Sequence, residues 1–323
     1  MTMNSIGNVQ TVTGSVAAGS LGFTLMHEHL SANLVREYRG NGLINDPDLV
    51  AQEVSEFAEL EGRTIVDCSS VGLGRNPAHL AQISAQTGVN VVMGSGFYRD
   101  PYHDAKYMNE LSATELADTI IRDIEVGVGD TGVKSGIIGE VGCDQWYASA
   151  LEERALRAAA RAHLRTGVPI TTHAARWPVG RVQLDIFEQE GVDPAGIIIG
   201  HCDWQVDGEQ YHLDIARAGA YVQFDTLAHA MGPHDLIKTT GYVVKLIDKG
   251  YIDKILLSHD LCLRNQLHAF GGPGYTFLQE TFHTFLTDAG VEEAAYRQIT
   301  VNNPARALAR RAAPNDDAHS VSA

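Results

Sequence analysis

Short apolar runs rich in β-branched residues recur along the chain, and longer stretches with helical periodicity separate them. Several runs are apolar almost throughout, such as GIIIGHC and YVQFD. This pattern is typical of parallel strands that are covered on both faces. The eight predicted strands are residues 24–29, 63–70, 89–96, 136–142, 168–173, 196–202, 219–225 and 254–260.

Helix-forming sequence lies between and after these runs. Residues 148–165 are rich in Ala, Leu, Arg and Glu, and Gly167 follows them as a stop signal. Residues 275–289 place apolar side chains on one face at helical spacing. Residues 292–311 predict a last helix, interrupted near Pro304.

The alternation of strands and helices predicts a single (β/α)8 barrel over residues 1–311. A doubly wound sheet is the alternative architecture. Residues 9–22 read as a strand pair with a glycine turn, which would form a short hairpin before the barrel. The small, polar residues 312–323 predict a flexible C-terminal tail.

Composition narrows the classes of partner. The chain has 40 acidic and 24 basic side chains, a formal charge of −16, so its surface repels the phosphates of nucleic acids. No apolar run approaches the roughly 20 residues of a membrane helix, and the N-terminus lacks a secretion signal. Four scattered cysteines without a C-x-x-C pair indicate reduced thiols. We therefore expect a cytoplasmic protein that acts on a small molecule.

The candidate chemistry lies where the predicted strands end. In β/α barrels these ends meet at one rim, which carries the reactive residues. Any single histidine or carboxylate there is most simply a hydrogen-bonded structural residue, but burying the whole set together costs several kcal/mol unless something pairs the groups. The set comprises four histidines and two carboxylates: His27, His29, Glu140, His173, His201 and Asp260.

A divalent cation would pair these groups. Six donors are too many for one catalytic zinc, which takes three protein ligands and a water, and they suit two metal ions that share a carboxylate. Histidine with carboxylate favours Zn²⁺, with Mn²⁺, Co²⁺ or Fe²⁺ as alternatives. Because strand side chains alternate, His27 and His29 share one face, and Glu28 between them points away from the centre.

The order of these residues, together with NNPARAL at 302–308, resembles the phosphotriesterase family of the amidohydrolase superfamily over nearly the whole chain. The resemblance implies that His27, His29 and Asp260 bind the more buried metal, and that His173 and His201 bind the more exposed one.

The fourth strand departs from the pattern of the phosphotriesterases and the related lactonases. They carry a bridging carbamylated lysine there, whereas GIIGEVG places Glu140 at this position and, with GHCD, resembles the phosphotriesterase homology protein branch. Glu140 would then bridge the metals as a plain carboxylate. The lactonases place an arginine after the Asp of strand seven, but Thr226 follows Asp225 here, which disfavours acyl-homoserine lactones.

The function implied is hydrolysis of a carboxylic ester, lactone or amide by a metal-bridging hydroxide, with Glu140 and Asp260 as the catalytic carboxylates. Asp260 would also accept the proton of the nucleophile and pass it to the leaving group. The alternatives are an organophosphate triester hydrolase and a barrel that binds metal without turnover. A homodimer is expected because relatives often form one.

Substrate contacts are expected from the loops that follow the strands. Tyr98 follows strand three, Arg176 and Trp177 follow His173, and Arg264 follows Asp260. Two arginines near the rim of an acidic protein predict recognition of a substrate carboxylate or phosphate.

Overall fold

The computed structural model describes residues 7–204 and 208–311, so the predicted tail at 312–323 lies outside the described residues. The strands are β1 (Asn8–Thr11), β2 (Gly14–Ala17), β3 (Phe23–Glu28), β4 (Ala32–Asn33), β5 (Leu43–Ile44), β6 (Gly62–Asp67), β7 (Asn90–Ser95), β8 (Ile137–Gly142), β9 (Ile170–His173), β10 (Ile197–Ile199), β11 (Tyr221–Phe224) and β12 (Ile255–Leu257). The helices are α1 (Val35–Tyr38), α2 (Pro47–Glu59), α3 (Pro77–Thr87), α4 (Ala105–Glu110), α5 (Ala113–Glu125), α6 (Ala150–Thr166), α7 (Gly180–Gln189), α8 (Gly208–Ala218), α9 (Pro233–Asp248), α10 (His283–Asp288), α11 (Glu293–Arg297) and α12 (Asn303–Leu308).

Eight strands form one parallel sheet in the order β3-β6-β7-β8-β9-β10-β11-β12. The end of its first strand and the residue that follows it are joined by backbone hydrogen bonds to the segment after its last strand. Asp260 N donates to His27 O at 3.1 Å, and His29 N donates to Leu261 O at 3.3 Å. The predicted (β/α)8 barrel is therefore confirmed, and the doubly wound alternative is wrong.

The predicted hairpin is also confirmed. β1 and β2 pair antiparallel, from Asn8 opposite Ala17 to Thr11 opposite Gly14. Val12 N donates to Val91 O, 2.9 Å away and near the start of β7. The hairpin thus covers the N-terminal end of the barrel, opposite the strand ends that carry the polar residues.

Apolar packing between the sheet and the surrounding helices holds the strands in place. Leu25, Ile65 and Val91 on the strands share one buried cluster with Val54 and Leu156 on the helices, and all five side chains are fully buried. Such burial contributes about 25 cal/mol for each Å² of apolar surface removed from water. This outer core leaves the barrel's rim free for polar residues.

The helices partly follow the sequence prediction. α6 begins at a capping box formed by Ser149 and Glu152 and ends at Gly167, whose φ of 71° is left-handed. The last predicted helix is instead divided into α11, a π-helical turn at Gln298–Asn302, and α12.

Two predictions from composition are also checked by the fold. All four cysteines are buried and free, as the absence of paired spacing indicated. Within residues 7–204 and 208–311, no helix is both long enough and apolar enough to cross a membrane.

Candidate metal centre

Two of the six predicted ligands lie beyond the regular strands. β10 ends at Ile199 and β12 ends at Leu257, whereas His201 and Asp260 follow with φ values of 55° and 52°. This left-handed conformation is unfavourable for residues other than glycine, by about 1–3 kcal/mol each. Both side chains lie in the central group, where Asp260 approaches His29 and His201 approaches Glu140.

The first strand supplies two ligands through an irregularity. The pairing of β3 with β6 shifts register before Glu28. His27 and His29 both face the centre, while Glu28 faces away, as the alternation predicted. Its buried carboxylate accepts three hydrogen bonds of 2.6–2.9 Å from residues 258–261. Glu28 therefore fixes the segment that carries Asp260.

The Glu140 carboxylate lies among four imidazoles. Its oxygens are 3.5 Å from His27 Nε2 and 3.5 Å from His29 Nε2 on one side. On the other side they are 2.9 Å from His173 Nδ1 and 3.3 Å from His201 Nε2. Two groups of three possible metal ligands thus share Glu140.

Asp260 joins the group that contains the histidines of strand one. Its Oδ1 is 3.2 Å from His29 Nε2 and 3.8 Å from His27 Nε2. Its Oδ2 is 3.4 Å from Nε2 of His229. The Asp260 side chain is 13 % exposed and that of Glu140 is 2 % exposed, so Asp260 is the carboxylate that reaches the open side of the centre.

A serine relay fixes the ring of His29. The Ser69 hydroxyl donates its hydrogen to Ser31 O at 2.6 Å, so it must accept from His29 Nδ1, which lies 2.9 Å away. The proton of the neutral ring is therefore on Nδ1. The lone pair of Nε2 points at Glu140 and Asp260, as a metal ligand requires.

Asp225 orients the imidazole rings of His27 and His201 in the same way. One oxygen of its buried carboxylate is 2.8 Å from His201 Nδ1, and the other is 3.1 Å from His27 Nδ1. The carboxylate favours a proton on Nδ1 of both rings, which leaves Nε2 as the metal-facing atom. Sequence reasoning missed this role, although YVQFD ends at the same rim as the ligands.

The donor set fits a divalent cation. His27 Nε2 is fully buried and has no hydrogen-bond partner in the described part of the chain. Two ligand atoms about 2.1 Å from one zinc lie about 3.4 Å apart at the tetrahedral angle. In the group of His27, His29, Glu140 and Asp260, the separations between imidazole nitrogens and carboxylate oxygens are 3.2–3.8 Å. These separations match two ligands on one ion better than direct hydrogen bonds.

The electrostatics agree with this fit. Burial and the neighbouring His201 lower the pKa of His173 to about 4. Burial alone would lower the pKa of His201 too, but Asp225 and Glu140 raise it to about 10. Burial would raise the pKa of Glu140, but His27 and His173 hold it well below its ordinary value. His173 is thus neutral and Glu140 ionised near neutral pH, the forms in which they bind a cation, whereas a cation at His201 would displace a proton.

A cavity of about 440 Å³ opens above the centre, and its lining includes Glu140, His173, His201 and Asp260. The Tyr98 hydroxyl lies 3.2 Å from His173 Nδ1, at the edge of this cavity.

Three other predicted contacts have different surroundings. Arg176 lines the cavity, with a left-handed φ of 67°. Trp177 is 40 % exposed and lies outside the cavity lining. Arg264 borders a separate groove, and its guanidinium stacks over Phe270 at 4.7 Å.

A second arginine in the cavity wall was not predicted. Arg99 bonds to Glu37 at 2.7 Å and to Asp144, and it lies 5.0 Å from the ring centre of Tyr98. Its charge is thus balanced by one carboxylate from α1 and one from the loop after β8. Arg176 has no ion pair with the described residues, so its charge is open to a ligand.

Comparisons with known proteins agree on one family. The phosphotriesterase family profile matches residues 7–308. The phosphotriesterase homology protein of Escherichia coli is 33% identical over 293 residues, which cover 88% of this chain and 97% of that protein. The N-acetyltaurine hydrolase of Mus musculus is 29% identical over 339 residues, covering 92% of this chain and 97% of its own. A lactonase structure from Listeria monocytogenes superposes with a TM-score of 0.89 at 27% identity, over 95% of this chain and 100% of that one. The chain therefore belongs to the phosphotriesterase family and is a metal-dependent hydrolase.

Proposed function

We propose that the protein is a binuclear metallohydrolase that cleaves a carboxylic ester, lactone or amide. The observation that carries the proposal is Glu140, one buried carboxylate within 3.5 Å of nitrogens from four imidazoles on two sides. The names of the relatives favour acyl chemistry, since one is an N-acetyltaurine hydrolase and another is a lactonase.

Two ions are assigned to the two donor groups. His27, His29 and Asp260 would hold the inner ion, and His173 and His201 the outer one, with Glu140 shared between them. The nitrogen and carboxylate donors favour Zn²⁺. Two divalent ions bound there would supply a hydroxide nucleophile at neutral pH and would polarise the carbonyl oxygen of the substrate.

Asp260 is the residue best placed to move a proton. Its carboxylate is more exposed than that of Glu140, and its Oδ2 faces the open side of the centre beside His229. We assign it the role of accepting the proton of the nucleophile and delivering it to the leaving group.

Tyr98 and Arg176 are assigned to the substrate. The Tyr98 hydroxyl, at the cavity edge beside His173, would donate to the acyl oxygen. Arg176 would bind a negatively charged substituent, since its guanidinium lines the cavity without a carboxylate partner in the described part of the chain.

The test is metal analysis together with a hydrolysis panel. The zinc-reconstituted protein is assayed on lactones, aryl esters, N-acyl amino acids, N-acetyltaurine and paraoxon. Two ions per chain with turnover of at least one acyl substrate well above paraoxon is the expected result. Preferred turnover of paraoxon would favour the phosphotriesterase alternative. Less than about one ion per chain and no turnover would favour a barrel without catalytic function.

A further inference from the structure

A second cavity of about 410 Å³ lies beside the metal centre. Trp204 and His229 line both cavities, and their rings meet edge to face at 5.5 Å. Much of the second wall is apolar and comes from the loop after β11 and from α9, with Leu227, Ala230, Met231 and Leu236. A ligand long enough to pass these two rings would occupy both cavities.

One carboxylate oxygen in this wall is unpaired. Asp203 is 5% exposed, and its Oδ2 accepts hydrogen bonds from Thr226 N at 2.8 Å and Thr226 Oγ1 at 2.6 Å. Its Oδ1 is buried and has no hydrogen-bond partner within residues 7–204 and 208–311. Thr226 therefore fixes the orientation of the carboxyl group and leaves one acceptor for a ligand.

The charged neighbours in the wall are engaged elsewhere. Lys238 Nζ lies over the Tyr242 ring at 5.7 Å. Asp235 accepts from Met231 N at 2.8 Å, at the outer edge of the cavity. The wall holds two carboxylates and one ammonium, and this balance favours a cationic donor over an anion in the cavity.

We propose that the second cavity binds an apolar arm of the substrate that ends in a primary ammonium group, whose N–H donates to Asp203 Oδ1. The acyl group of the same molecule reaches the metal centre past Trp204 and His229, so this part of the inference rests on the proposed function. The substrate class is an acyl compound with an aminoalkyl or aminoaryl arm.

Asp203→Asn gives a sharp test because Thr226 N can only donate. The carbonyl oxygen of the new amide must therefore face Thr226, and its NH₂ group faces the cavity as a donor. The matched control is Asp235→Asn, which removes the same charge from the same wall.

Binding is measured on the metal-loaded protein with n-hexylammonium and 2-hexanone as probes. Trp146→Phe and Trp177→Phe leave Trp204 as the sole tryptophan of the chain's three, so its fluorescence reports the cavity. Asp203→Asn should lower the affinity for n-hexylammonium at least tenfold and raise the affinity for 2-hexanone. Asp235→Asn should change either affinity by less than threefold. Absence of n-hexylammonium binding, or equal effects of the two variants, overturns the proposal.

A second variant and a kinetic readout separate this inference from the proposed function. Ala230→Phe fills the cavity and should also abolish probe binding, even if Asp203→Asn fails to fold. With 6-aminohexyl acetate and n-hexyl acetate as substrates, Asp203→Asn should raise KM only for the amine. If neither ester is hydrolysed, the proposed ester activity fails, yet the binding data still decide the cavity.

Discussion

Two clusters of histidine and carboxylate in this molecule have the same kinds of donor but different hydrogen bonding. The lateral cluster consists of Glu53, Glu56 and His268, which also lie close enough to hold an ion. There, Glu53 accepts from the backbone N–H groups of His268 and Ala269, both at 2.8 Å. His268 uses one ring nitrogen for Glu56 and the other for Pro273 O at 2.8 Å.

The central cluster is the opposite case. His27 Nε2 has no hydrogen-bond partner among the described residues, and Ser69 and Asp225 hold the far nitrogens of the neighbouring rings. This difference in hydrogen bonding indicates that residue type alone does not define a metal site. Buried ring nitrogens that the protein leaves without a hydrogen-bond partner do, because burying them is unfavourable until an ion arrives.

The largest expected effect comes from removing the shared carboxylate. Glu140→Gln should reduce bound metal to one ion or less and lower acyl hydrolysis at least about a thousandfold, equal to about 4 kcal/mol. Glu56→Gln in the lateral cluster is the control, and it should keep the metal content and the rate of acyl hydrolysis of the parent. Equal metal loss in the two variants would contradict the comparison.

Next is the carboxylate assigned to proton transfer. Asp260→Asn should lower kcat by about 10²–10⁴ while the circular dichroism spectrum and thermal midpoint stay close to those of the parent. Metal content is measured in parallel, since a loss of metal would explain the loss of rate by ligation alone. Near-normal turnover would remove Asp260 from the mechanism.

A smaller effect on metal binding is expected from Asp225, which contacts the imidazoles of the candidate ligands and not the ion itself. Asp225→Asn keeps the size of the side chain but weakens its hold on His27 and His201, so metal affinity should fall about 10–100-fold. A competition assay with a chelator measures it. His268→Asn in the lateral cluster is the control and should leave the metal affinity unchanged. An unchanged metal affinity in Asp225→Asn would show that the hydrogen bonds from Asp225 to His27 and His201 do not contribute to metal binding.

The pH dependence of metal binding follows from the raised pKa values of His27 and His201, the latter about 10. Below that pH the ring of His201 carries a proton that the ion must displace, so affinity rises with pH, by about tenfold per unit for each proton released. Calorimetry in buffers of different ionisation enthalpy counts these protons between pH 6 and 9. A flat profile would contradict the assignment.

The smallest effect belongs to the lateral cluster. Glu56 is 48% exposed and His268 is 32% exposed, so their ion pair is screened by water. Glu56→Gln should lower the free energy of unfolding by less than about 1 kcal/mol in a urea titration. A larger loss, with loss of metal, would mean that this cluster also holds an ion.

The sequence placed the barrel strands well because near-continuous apolar runs are characteristic of buried parallel strands. It predicted their ends less well. Residues 196–202 and 254–260 were expected to be strands up to the ligands, yet β10 ends at Ile199 and β12 ends at Leu257. A left-handed residue follows shortly after each end, at His201 and at Asp260, and apolar periodicity carries no signal for such a conformation.

The clustering of the candidate metal donors was predictable because each one ends or follows an apolar run, and all such ends meet at one rim. Their partners were not predictable in this way. Arg99 is held by Glu37 and Asp144, which lie 62 and 45 residues away in the chain, so only the folded chain brings them together. The same holds for Trp177 and Arg264, because the fold and not the sequence decides which loop side chains enter a cavity.

Closure of the barrel has a consequence for biosynthesis. The inner donor group lies on the seam where the strand that carries His27 meets the segment that carries Asp260, joined by Asp260 N to His27 O and by the Glu28 carboxylate. On the ribosome, the first of these residues emerges long before the last. Glu140, His173 and His201 all precede residue 202, whereas the group of His27, His29 and Asp260 needs contact between the two ends of the barrel sequence. Under the proposed function, an ion could bind the inner group only after the barrel has closed.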